Sequence, residues 1–135
     1  MKIGVRAHDY GKHSIEGLAS LLREEGYDGA QLALPKVFEE IDSYEDIRLS
    51  HIERIRRAFE KNRVEIPVMG CYMDLGNPDR SVREYAVETL KNCLLYAKEM
   101  GAGVVGTETA YPRLSREERA AWCPYMMDSL MRVME

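Results

Sequence analysis

Apolar and polar residues alternate along this chain in two rhythms, and each rhythm recurs four times. Short apolar runs fall at residues 2–6, 28–35, 66–76 and 101–108. In the first, Ile3 and Val5 share one side of an extended segment; in the last, Val104 and Val105 supply β-branched bulk between Gly103 and Gly106. Each run predicts a strand, the last a buried parallel strand that ends in the carboxylate Glu108. Pro67 fits the first positions of the third strand, where a missing N–H is tolerated. The intervening segments have helical spacing. Ser14 is placed to cap a helix carrying Ile15, Leu18, Leu21 and Leu22, which Gly26 stops. Residues 36–49 predict a loop with a short helical turn, and Ser50 is placed to cap a second helix with Ile52, Ile55, Ala58 and Phe59 on one face. After Pro78 and Asp79 comes the clearest helix, with Val82, Ala86, Leu90, Cys93, Ala97 and Met100 in steps of three and four and Gly101 as its stop. Ser115 and Glu118 form a capping-box pattern before the last helix, which carries Trp122, Met126, Leu130 and Val133 and which Pro124 is expected to kink or break.

Strictly alternating strands and helices imply an α/β protein with a parallel sheet and right-handed crossovers. Units beginning near Lys2, Asp28, Ile66 and Gly103 fit either an open four-stranded sheet or an arc of a barrel. A full (β/α)8 barrel needs roughly 250 residues. At 135 residues, ending at Glu135 inside a helical pattern, the chain favours half of a (β/α)8 TIM barrel: a single domain over residues 1–135, shortened to a (βα)4 half-barrel.

A formal net charge of -4 argues against nucleic acid as a partner, because neutralising phosphates takes a basic face. Arg54, Arg56 and Arg57 read as a solvated helix face. Cys71, Cys93 and Cys123 are odd in number, widely spaced and set among apolar residues, the pattern of reduced core thiols, and no CxxC or Cys/His zinc spacing occurs. With no apolar run near 18 residues the expectation is no membrane partner and a cytoplasmic location.

Candidate chemistry sits at the carboxyl ends of the strands, where parallel α/β sheets bind ligands. Those positions hold His8 and Asp9 after the first strand, Lys36 after the second, Tyr72 and Asp74 after the third, and Glu108 and Tyr111 after the fourth. His13 and His51 lie beside helix starts and read as surface residues.

The segments Lys2-Ile-Gly-Val-Arg6, Glu24-Glu-Gly-Tyr-Asp-Gly-Ala-Gln-Leu32, Val64-Glu-Ile-Pro-Val68, Ala97-Lys-Glu-Met-Gly-Ala-Gly-Val-Val105 and Gly106-Thr-Glu-Thr109, in this order and spacing, resemble the xylose-isomerase-like TIM-barrel superfamily, more narrowly its sugar phosphate isomerase/epimerase group. The match corresponds to the first four of the family's eight units. The resemblance implies a divalent metal (Mn, Mg, Co or Zn) that polarises a sugar carbonyl while carboxylates move a proton at the adjacent carbon. It also implies that the main metal ligands come from the fifth to eighth strands, which leaves two expectations for this chain: a divalent metal, or none. By the same resemblance Glu108 is the candidate catalytic and metal-contacting residue, and His8, Asp9, Lys36, Tyr72, Asp74 and Tyr111 are the candidates for contact with a small sugar or sugar phosphate. Two readings follow: the N-terminal half of a sugar (phosphate) isomerase/epimerase-like barrel, or a catalytically inactive half-barrel acting as a self-associating or binding module. Under either, unpaired edge strands predict a homo-oligomer, in the simplest case a dimer.

Overall fold

Ser14 opens the first helix: its Oγ accepts from the Gly17 amide at 3.1 Å, so one of the orphan donors of the first turn is satisfied. In this computed structural model, which describes residues 1–108 and 114–135, that helix is α1 (Ile15–Glu24), and it follows β1 (Gly4–Arg6). Next come β2 (Gly29–Leu32), a short α2 (Leu34–Val37), α3 (Leu49–Asn62), β3 (Glu65–Gly70), α4 (Arg80–Met100), β4 (Val104–Gly106) and α5 (Arg116–Val133). Gly26 and Gly101 take φ of +87° and +83° just past α1 and α4, the left-handed stop expected of glycine.

The four strands form one sheet in the order β1-β2-β3-β4, with every pairing parallel. These four βα units make half of a (β/α)8 barrel. Between β2 and β3 the register slips: Gly29 pairs with Glu65 but Gln31 with Val68, so β3 carries one extra residue. Pro67 sits in that irregularity rather than at the strand's start. A central strand tolerates proline there because the ladder does not call on its missing N–H.

The chain divides into two compact units, one of Met1–Gly70 with Leu94–Gly106, the other of Cys71–Cys93 with Thr107–Glu135. The first holds the sheet. On one sheet face Ala30, Leu32 and Met69 are buried, and α1 packs on α3 through fully buried Ile15, Leu18, Leu22, Ile52, Ile55 and Phe59. The opposite face, set by the pairing Arg6–Gln31–Val68–Val104, is far more open: Gln31 and Val68 are half-buried, and Arg6 and Val104 are exposed. The second unit has its own core of Cys71, Leu75, Ala86, Val87, Leu90 and Cys93.

Several local expectations change. Strand β4 is not buried, because among the described residues it has a hydrogen-bonded strand neighbour on one side alone, and Val104 is 56% exposed. Helix α3 starts two residues early, capped at Arg48, whose amide donates to His51 Nδ1 at 3.3 Å, and Ser50 lies inside it. His13 is half-buried instead of at the surface: its amide donates to Val37 O and its carbonyl accepts from the Glu39 amide, both at 3.0 Å. Helix α5 runs through Pro124 without a break. Ala120 and Pro124 are both exposed, so the carbonyl that loses its partner faces water. Cys123 is exposed, unlike buried Cys71 and Cys93. Among the described residues, no helix is long and apolar enough to cross a membrane.

Candidate functional site

The first unit gathers three of the sequence candidates. Directly after β1 the chain tightens into a 3-10 turn, Ala7–Tyr10, that carries His8 and Asp9, and Lys36 lies on α2. Asp9 is held by Arg6, whose Nη2 and Nε donate to its two carboxylate oxygens at 2.9 and 3.1 Å. Those bonds hold the Asp9 carboxyl below its usual range. His8 is pushed below the ordinary histidine value, first by burial and then by the Arg6 charge, with a further small contribution from Lys36. A neutral imidazole beside two cations and a committed carboxylate results, suited to hydrogen bonding with a ligand's hydroxyls.

The second unit holds a cavity of about 290 Å³. Asp74 and Glu108 both line it, and Tyr72 stands half-buried two residues before Asp74. Asp74 comes after β3 and Glu108 after β4, so the chain order at the strand ends delivers two carboxylates to one hollow. Asp74 accepts from Asn77 Nδ2 at 2.7 Å, which fixes the carboxylate near the start of α4. The opposite wall comes from α5. Arg119, Trp122, Cys123 and Met126 follow one another at intervals of three, one and three residues, a single helix face, and all four line the cavity. Ser115 sets that face by capping the helix: its Oγ accepts from the Glu118 amide at 3.1 Å, and the Glu118 carboxylate accepts from the Ser115 amide at 2.8 Å.

The sequence places Asp74 and Glu108 after strands, but it does not single out Arg119 and shows Trp122 only as one of the apolar residues of the last helix. The spacing from Arg119 to Met126 was a usable signal. A charged first member disguised it as solvated helix surface. Tyr111 lies outside the described residues. Among the described residues, no group of three or more His, Cys, Asp or Glu side chains is placed to hold a metal ion. Two carboxylates and an exposed thiol fall short of the three or four nitrogen and sulfur ligands usual for Zn, and among these metals they suit Mg best, which one or two carboxylates hold together with several waters. The described residues therefore do not make a zinc-type site by themselves.

A family model for the xylose isomerase-like TIM barrel matches residues 19–135. The chain belongs to that family. Among solved structures, this xylose isomerase-like chain is similar to D-psicose 3-epimerase in the presence of D-fructose, at 12% identity and a TM-score of 0.67 over 96% of this chain. It is similar also to D-psicose 3-epimerase with D-tagatose from Clostridium cellulolyticum H10, at 13% identity and a TM-score of 0.72 over 99% of this chain, and to apo 3-keto-D-glucoside 4-epimerase from E. coli, at 17% and 0.67 over 97%. It spans 50%, 49% and 49% of those chains, about half the length of each. At such identities the likeness establishes the fold of the xylose isomerase-like half-barrel. No curated protein matches it by sequence.

Proposed function

We propose that the cavity of the second unit binds a small sugar and belongs to an isomerase or epimerase site of which this chain supplies the half built from the first four strands. Asp74 and Glu108 accept hydrogen bonds from the sugar's hydroxyls, Arg119 donates to its oxygens, and Trp122 offers an apolar wall to its C–H face. Glu108, exposed and not held by Asn77 as Asp74 is, is the carboxylate that exchanges a proton at the carbon next to the carbonyl. The observation that carries this reading is the meeting of Asp74 and Glu108, each following a separate strand, in one cavity with a cationic and an aromatic side chain. Family membership and the epimerases that share the fold support it. Metal dependence enters the proposal through family resemblance alone, and no step here runs through an ion.

The test is solvent deuterium exchange. The chain is incubated with D-fructose in heavy water, with and without added Mn²⁺, and label at the carbons flanking the carbonyl is followed by NMR. The reading expects label that disappears in Glu108→Gln, with sugar binding weakened in Asp74→Asn and Arg119→Met. Sugar binding or exchange that is unchanged in all three variants, or absent from the parent chain under every condition, overturns it.

A further inference from the structure

We propose that a second copy of this chain completes the sheet, with β4 of each copy pairing in parallel with β1 of the other about a two-fold axis that runs along the strands. Parallel sheets are normally covered on both faces. Here Ala30, Leu32 and Met69 are buried on one face, while the opposite face leaves Val68 half-buried and its registered neighbour Val104 56% exposed. Beside Val104 the last turns of α4 continue the apolar surface: Leu94 is 45% and Leu95 63% exposed, and Leu94, Ala97 and Gly103 line a groove along β4. An apolar parallel edge with unpaired backbone groups is a template for another strand.

The geometry specifies what that strand must be. With order β1-β2-β3-β4 and every pairing parallel, among the described residues β4 lacks a parallel neighbour on one side and β1 on the other. A half-turn about an axis along the strands preserves their direction, so both missing neighbours can be supplied at once by one other copy. A two-fold axis across the strands would reverse them and give antiparallel joints. The first operator produces two identical joints and a closed ring without edges, the condition for a finite assembly in place of a filament. Strand count agrees, since this chain covers about half the length of the barrel chains it matches and two copies provide eight strands. All carboxyl ends then lie at one end of the ring, where the residues that follow β3 and β4 are contributed twice. This assembly is independent of the proposed sugar chemistry and is tested without any sugar.

Sedimentation velocity across micromolar concentrations reads the oligomer. Val104→Lys places a charge in the proposed contact and raises the dimer dissociation constant by about a hundredfold, the order expected for burying an unpaired charge against apolar surface. Leu49→Lys, at an exposed position of α3 within the first unit, is the control and leaves the dimer intact. Since residue 104 is largely exposed in the single chain, circular dichroism of Val104→Lys is expected to match the parent. Hydrogen exchange gives the second readout: amides of β4 and β1 gain protection as concentration rises. A monomeric parent chain, a dimer that survives Val104→Lys, or β4 and β1 amides whose exchange ignores concentration would each overturn the proposal.

Discussion

The Arg83 guanidinium lies over the ring of Tyr125, its central carbon 4.7 Å from the ring centroid, and so ties α4 to α5 within the second unit. The same guanidinium donates through Nη1 to the carbonyls of Asn77 and Pro78 at 2.7 and 2.9 Å, closing the turn that precedes α4. Arg83 is almost fully buried, so these partners replace water. Arg83→Met keeps the stem and removes the bonds, and is expected to cost about 2–3 kcal/mol, whereas Tyr125→Leu costs about 1 kcal/mol. Urea denaturation of both variants checks this. Equal costs would mean that stacking, not the carbonyl bonds, dominates.

Arg54 joins α3 to α1, gripping both oxygens of Glu16 at 2.6 Å, and it reaches Glu40 at 2.8 Å. The hydrogen bond from Arg54 holds the Glu16 carboxyl below its ordinary value of 4.5. A carboxyl depressed in the folded state adds stability above its unfolded value, and that stability is lost as pH falls through the folded one. The parent chain should therefore lose more stability than Glu16→Gln between about pH 5 and pH 3, the region around and below a normal glutamate. Both side chains are about half exposed, so solvent screening limits the pair to about 1 kcal/mol or less at neutral pH. Thermal melts at stepped pH measure it, and parallel acid limbs would contradict it.

Cys71 and Cys93 are buried and hydrogen-bonded to one another, and this bond, followed by burial, pushes the Cys71 thiol far above the usual range. Cys123 is exposed at the cavity. A thiol-titrating reagent is expected to modify one cysteine rapidly and the other two only on unfolding, because the thiolate is the reactive form. Cys123→Ser should remove the fast phase. A fast phase that persists would place reactivity in the core pair.

Much of this architecture is legible in the sequence. Helix α4 announces itself because Ala86, Leu90, Cys93, Ala97 and Met100 all point to one buried side, and periodicity reports that directly. Asp74 and Glu108 were legible as strand-end carboxylates, since parallel strands place their ligand groups there. What sequence could not supply was the company each residue keeps. Val104 has the composition of a core residue, but its exposure depends on which strand lies beyond it, a fact outside its own neighbourhood. Arg54 resembles its neighbours Arg56 and Arg57, whose partners Glu60 and Glu53 lie at 3.5 and 3.9 Å on the same helix, yet it alone of the three bridges to another helix. Arg119 was hidden likewise, because a charge at a helix start looks solvated until a cavity is found beside it.

The slipped register between β2 and β3 also constrains how this protein can change by mutation. A methyl group added at Gly29 would come within 3.3 Å of the Glu65 carbonyl oxygen and 3.4 Å of Pro67 Cδ, so Gly29 and the bulge that houses Pro67 form one linked choice. Gly29→Ala alone is expected to destabilise the sheet, and to do so less in a Pro67→Val background, where the ring is gone. A double-mutant cycle with zero coupling would refute that linkage. If it holds, the order of substitutions matters more than their number: a side chain at residue 29 is tolerated better once the ring at residue 67 has gone, so a route to a regular ladder opens at Pro67 and not at Gly29.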